Sequence, residues 1–164
     1  MKKIIIVRHA KSSWLLTNAS DFDRPLNERG KNDAPLMAAK LQAAQIHVDA
    51  LITSTALRAK TTCEIFASTL GIAAEQIQYK DVLYHAPAEV FFEVINGLDD
   101  TYGTVAIFAH NPGITEFVNS LCNDVFVDNM PTCGMFAVAA DITSWSAFEN
   151  ATKKLLFFKY PKEA

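Results

Sequence analysis

The run Ile4-Ile5-Ile6-Val7 holds four β-branched residues in succession, and Arg8-His9 closes it at once. A strand wetted on one face alternates apolar and polar residues, whereas one that is apolar at every position must be covered on both faces. The run therefore predicts a central strand between two layers. Thr104 to Ala109 repeats the pattern, and Ala50 to Thr53 is a shorter version of it. Helical signals lie between these strands. Asp33 with Ala34-Pro35 reads as an N-cap and first turn of a helix running to Gln45, and Ser54 as the cap of a helix through Arg58, Cys63 and Ile65 to Leu70, stopped by Gly71. Residues 78–83 read as extended. In 87–98, Val90, Phe91, Val94, Ile95 and Leu98 have helical spacing, and Pro112-Gly113 opens a helix carrying Phe117, Val118 and Leu121. Gly134 to Ala140 and Lys154 to Tyr160 read as two further strands joined by the polar segment 141–153. This alternation predicts an α/β fold, a three-layer α/β/α sandwich with a mostly parallel sheet. Residues 1–164 form one domain in this reading, without repeat or linker. Only Ser12 to Gly30 breaks the pattern; its Asn, Ser, Asp, Pro and Gly content predicts a long ordered loop around Asp23-Arg24-Pro25-Leu26.

A net charge of −3 and a pI near 5.8 leave no basic field, so neither nucleic acid nor a membrane surface is expected as a partner. The run at 4–7 is too short for a signal segment or a span, and a cytoplasmic protein is expected. Cys63, Cys122 and Cys133 are widely spaced and lack a C-x-x-C pair, which predicts buried free thiols rather than disulfides or a zinc site. The sequons at Asn18 and Asn150 are read as chance matches, not glycosylation sites.

In open α/β sheets ligands bind beyond the carboxyl ends of the strands. The first strand ends in Arg8-His9, the second leads within five residues to Arg58, and the strand 104–109 ends in His110-Asn111-Pro112-Gly113. Two arginines and two histidines thus meet at one edge. Guanidinium forks match phosphate oxygens, and helix N-termini add backbone donors, so the expected guest is a phosphate or sulfate. The chain has no phosphate-binding glycine loop and no carboxylate set with metal-ligand spacing. Neither a metal nor a cofactor is expected.

Val7-Arg8-His9-Ala10, Ser54-Thr55-Ala56-Leu57-Arg58-Ala59-Lys60-Thr61-Thr62 and His110-Asn111-Pro112-Gly113 together resemble, in order, the motifs of the histidine phosphatase superfamily, the phosphoglycerate mutase-like family. The short length, which leaves no room for an inserted helical subdomain, and the loop Asp21-Phe22-Asp23-Arg24-Pro25-Leu26 are most similar to its SixA branch, the phosphohistidine phosphatases. Ala10 departs from the glycine many members carry. The segment Leu83-Tyr84-His85-Ala86-Pro87-Ala88-Glu89 departs further, because no carboxylate obviously stands where phosphomutases and many phosphomonoesterases keep a general acid. The resemblance implies a metal-independent phosphatase in which His9 takes the phosphoryl group as a covalent phosphohistidine, while Arg8, Arg58 and His110 hold its oxygens. Asp21 and Arg24 are expected to help bind substrate, with Asp21, Asp23, His85 and Glu89 as candidate proton donors. A phosphoramidate needs less acid assistance than an alkyl ester, so a phosphohistidine protein is the expected partner. A small phosphorylated metabolite is the alternative, and a silent phosphate-binding module the third.

Overall fold

The computed structural model describes residues 1–15 and 19–161. The sequon at Asn18 lies outside the described residues. Among these residues six strands form one sheet: β1 (Lys2–Arg8), β2 (Ala50–Thr53), β3 (Ile77–Tyr79), β4 (Thr104–Ala109), β5 (Met135–Ala140) and β6 (Lys153–Lys159), in the order β3-β2-β4-β1-β5-β6. β3, β2, β4 and β1 pair in parallel, whereas β5 runs antiparallel to both β1 and β6. The sheet is therefore mixed, with the C-terminal pair forming its antiparallel margin.

Four helices cover it: α1 (Glu28–Ala43), α2 (Leu57–Leu70), α3 (Ala88–Asn96) and α4 (Gly113–Leu121). The strand pattern explains the two layers. Ile5 and Val7 of β1 and Ala106 and Phe108 of β4 pack with Met37, Leu41 and Phe66 from α1 and α2. Ile4, Ile6, Val105 and Ile107 pack on the opposite face with Phe91, Ile95, Phe117 and Val118 from α3 and α4. Each buried aliphatic or aromatic side chain contributes roughly 1.5–3 kcal/mol, so an all-apolar strand stabilises both layers at once.

Three predicted boundaries move. α1 begins at Glu28, not beyond Asp33, because the Asn27 side chain accepts from the Gly30 N–H at 2.9 Å and caps it earlier. Pro35 then lies inside the helix, on its exposed side. Ser54 does not cap α2, which starts after Ala56, although its Oγ accepts from the Ala56 N–H at 3.2 Å. The extended segment expected at 78–83 is shorter and starts one residue earlier, as the three-residue strand β3, and is followed by a 3-10 turn at Asp81–Leu83. Gly71 ends α2 at φ +70°, a left-handed position that favours glycine.

Register sets the location of the site. Arg8 pairs with Ala109 and Thr53 with Phe108, so β1, β2 and β4 end side by side. Backbone bonds continue the alignment one residue further, from His9 N–H to Ala109 carbonyl at 3.2 Å and from Ser54 N–H to Phe108 carbonyl at 3.0 Å.

Candidate active site

The strand ends bring His9, Ser54, Arg58 and His110 into one buried group, with Arg8 beside it. The His9 and His110 rings lie 5.2 Å apart, centroid to centroid. His9 Nδ1 stands 2.8 Å from the Ala10 carbonyl, which can only accept, so Nδ1 carries the proton and Nε2 keeps a free lone pair. The preceding turn is held by Thr62, whose hydroxyl accepts from the Ala10 N–H at 3.0 Å and donates to the Arg58 carbonyl at 2.7 Å. Ala10, the departure from the glycine of many superfamily members, is fully buried and its methyl packs in the α1/α2 core.

His110 is fixed from the other side. Its Nε2 lies 2.7 Å from Ser54 Oγ, which already accepts from the Ala56 N–H. The hydroxyl proton of Ser54 can donate to Nε2, and in that tautomer the ring proton sits on Nδ1. Among the described residues, Nδ1 of His110 is buried without a partner, and so are Nε of Arg8 and Nε of Arg58. In the tautomer with Nδ1 protonated all three are donors without an acceptor, and each such group costs about 1–3 kcal/mol until one is supplied. An oxyanion supplies acceptors on several sides.

The loop after β1 folds back over this edge. Its 3-10 turn Asp21–Asp23 places the Asp21 carboxylate where Oδ2 accepts from Arg58 at 3.0 Å and from the Tyr84 hydroxyl at 2.6 Å, while Oδ1 accepts from Arg24 at 3.0 Å. Arg58 also donates to the Asp21 backbone carbonyl at 2.6 Å. Arg24 is buried; besides Asp21 it bonds the Ser13 carbonyl at 3.1 Å and the Ser12 hydroxyl, and it stacks on Trp14 at 3.3 Å from the ring centroid. Its bonds are all to its own loop. The loop after β3 forms the opposite rim through Tyr84 and His85, and Gly113 lets α4 approach it: a Cβ there would stand 1.7 Å from the Ala86 carbonyl.

Burial sets the protonation. Desolvation, followed by repulsion from His110 when both rings are protonated and by the charges of Arg8 and Arg58, outweighs the Ala10 hydrogen bond and lowers the His9 pKa to about 3. Desolvation and then Arg58 lower that of His110 to about 3 as well. Both rings are neutral at pH 7. Partial burial opposes ionisation of Asp21, but hydrogen bonds from Tyr84, Arg24 and Arg58 prevail and hold its carboxyl below the usual carboxylate range.

Of the residues expected at the site, Arg8, His9, Arg58 and His110 meet at the sheet edge, and Asp21 joins them through Arg58. Arg24 reaches the cluster only by way of Asp21. Asp23 instead receives the Ser20 hydroxyl at 3.0 Å within its own turn, and Glu89 is exposed in the first turn of α3. From sequence, Ser54 is expected only as a helix cap and a motif residue, and Tyr84 carries no expected role. Ser54 directly follows a strand, as His9 and His110 do, so the strand-end rule reaches it; Tyr84 stands in a segment where only a proton donor is expected.

A three-layer α/β sandwich with paired arginines and neutral histidines at the carboxyl edge of its sheet has the makings of a phosphohydrolase. The chain belongs to the histidine phosphatase superfamily: the profile of that superfamily's branch 1 matches residues 4–84. An uncharacterised protein of Mycobacterium tuberculosis is 33% identical over 165 residues, covering 95% of this chain and 100% of the relative. A 2,3-bisphosphoglycerate-dependent phosphoglycerate mutase of Gloeothece citriformis is 37% identical over 67 residues, 40% of this chain and 29% of the mutase. Among solved structures, the protein histidine phosphatase SixA complexed with tungstate superposes with a TM-score of 0.81 at 21% identity, covering 96% of each chain. The mycobacterial glucosyl-3-phosphoglycerate phosphatase in complex with VO3 gives 0.69 at 14% identity, over 98% of this chain and 100% of the other. The protein is accordingly a phosphohydrolase of the histidine phosphatase superfamily, and the solved structures show the α/β fold it shares with them.

Proposed function

We propose that the protein removes phosphoryl groups from protein phosphohistidine, through a covalent intermediate on His9 and without a metal. The observation that carries the reading is the set of buried, unpartnered nitrogens of Arg8, Arg58 and His110 at the edge that holds the neutral His9 ring. The Ala10 carbonyl holds the proton on Nδ1, so Nε2 attacks phosphorus in line; the P–Nε2 bond forms as the bond to the leaving group breaks. Negative charge spreads over the equatorial oxygens, where two guanidiniums and the Nδ1–H of His110 receive it. Water then attacks the phosphohistidine, phosphate departs, and the electron pair of the P–N bond returns to Nε2. The guanidiniums provide the charge neutralisation that a metal provides elsewhere.

Two features favour a protein substrate. The chain matches the SixA structure over nearly the full length of both, with no inserted subdomain to roof the site, and tungstate bound to that neighbour is a phosphate-like oxyanion. Trp14 beside the loop is 76% exposed and Phe22 is partly so, an apolar rim suited to a protein surface. The test is a chelator-treated assay of the full chain with phosphohistidine peptides and a panel of phosphate esters. Preferential release of phosphate from the peptides is expected; preference for a sugar phosphate would install the small-molecule reading, and loss of activity with chelation would remove the metal-free one. His9→Ala should abolish turnover while still binding vanadate. Full activity in that variant would end the covalent mechanism.

A further inference from the structure

In-line displacement places the leaving group opposite the nucleophile. His9 and Arg58 lie at the buried floor, so the leaving group must face the mouth. The ionisable side chain at the mouth that is bonded to the phosphate-binding arginine is Asp21, whose side chain is 41% exposed against 6% for Arg58. A carboxylate has about four lone-pair positions. Tyr84 and Arg58 occupy Oδ2 and Arg24 occupies Oδ1, which leaves one position, on Oδ1.

That arrangement is unsuited to a general acid. An acid must carry a proton, and three donors fixed on the carboxylate, drawn from α2, from its own turn and from the loop after β3, all favour the proton's absence. A fixed negative charge at the mouth has a different use. An ester leaving group gains negative charge as its bond breaks and is repelled there. A protonated nitrogen ligand is attracted and brings its own proton.

We propose that Asp21, braced by Arg58, Tyr84 and Arg24, forms a leaving-group subsite for a cationic N–H, and so selects phosphoramidates with protonated nitrogen ligands over phosphate esters. The proposal rests on the phosphatase reading above and names the chemistry that would make it prefer P–N bonds. In the step itself, the substrate ring N–H donates to Asp21 Oδ1. His9 Nε2 bonds to phosphorus, the P–N bond breaks with its electron pair passing to the departing nitrogen, and the imidazole leaves neutral, keeping the proton that had made it cationic. Asp21 neither gains nor loses a proton. The charged and titratable groups around it are Arg58 from α2, Arg24 from its own loop, Tyr84 and His85 from the loop after β3, with His85 Nε2 at 4.0 Å, and His110 behind Tyr84.

The experiment compares kcat/KM for a phosphohistidine peptide with kcat/KM for p-nitrophenyl phosphate, in the wild-type full chain, Asp21→Asn and Tyr84→Phe, from pH 5 to 8.5. Asp21→Asn should lower the ratio of peptide to ester by about tenfold or more, whatever common loss follows from disturbing Arg58. An unchanged ratio would mean that Asp21 only braces Arg58, and would overturn the subsite. Tyr84→Phe keeps the ring and the Asp21 charge and removes one of its three donors, so most of the preference for the peptide should survive across this pH range. A ratio that fell as far in Tyr84→Phe as in Asp21→Asn would make the brace, not the charge, the discriminating feature and would overturn it too. Wild-type protein that cleaves the ester but no phosphohistidine peptide would instead refute the phosphohistidine reading, a separate result from either variant's.

Discussion

Acidification from pH 7 to pH 5 should destabilise this protein at its own active site. His9 and His110 have pKa values lowered from 6.5 to about 3 in the folded state, chiefly by burial. A histidine with a depressed folded pKa favours the fold while neutral: its contribution is complete above the unfolded pKa and declines as pH falls, because the unfolded chain takes up a proton the folded chain refuses. Over this interval each ring therefore costs about 1.4 kcal/mol per pH unit once below 6.5, or about 2 kcal/mol in total, and the two together about 4 kcal/mol. Against a domain stability of roughly 5–15 kcal/mol that is a large share. Asp21 does not blur the reading, since its carboxyl lies below the usual range and its contribution is lost only at lower pH. The assay is urea unfolding at pH 5, 6 and 7 in buffers free of phosphate and sulfate, with His9→Asn and His110→Asn each expected to remove about half of the pH dependence. Equal stability at pH 5 and 7, or ring resonances titrating near 6.5, would refute the account of both histidines as buried and neutral.

Arg58→Lys removes the fork that binds Asp21 and, in the proposed mechanism, the phosphoryl oxygens; kcat/KM should fall by about two to three orders of magnitude in a steady-state assay. Ser54→Ala frees the His110 tautomer and should lower kcat by about tenfold or more, with Ser54→Thr restoring most of it if the hydroxyl is what matters. Gly113→Ala drives a methyl against the Ala86 carbonyl and should destabilise the domain by about 1–3 kcal/mol, seen as a lower thermal midpoint.

The strand ends were legible in the sequence because burial on two faces writes itself as an unbroken apolar run. The first polar residues after such a run mark the sheet edge, and that rule reaches Arg8-His9 and His110 and, a few residues beyond β2, Arg58. The helix starts were less legible. Asp33-Ala34-Pro35 and Asn27 offer rival local signals, and only the side-chain bond to Gly30 in the folded chain decides for Asn27. The long loop was visible as a break in periodicity, but no local pattern says which of its carboxylates reaches the cluster: in space Asp21 meets Arg58 from 37 residues away and Tyr84 from 63, while Asp23 bonds Ser20 within its own turn. What the sequence determined by itself was thus the meeting of two histidines and two arginines at one sheet edge, since their positions follow from strand burial and order along the sheet. What only the tertiary structure decided was the mouth of the site: Ser54 behind His110, Tyr84 against Asp21, and a carboxylate held ionised rather than kept as an acid. Those roles depend on hydrogen bonds between distant loops, and no local pattern in the chain records such bonds.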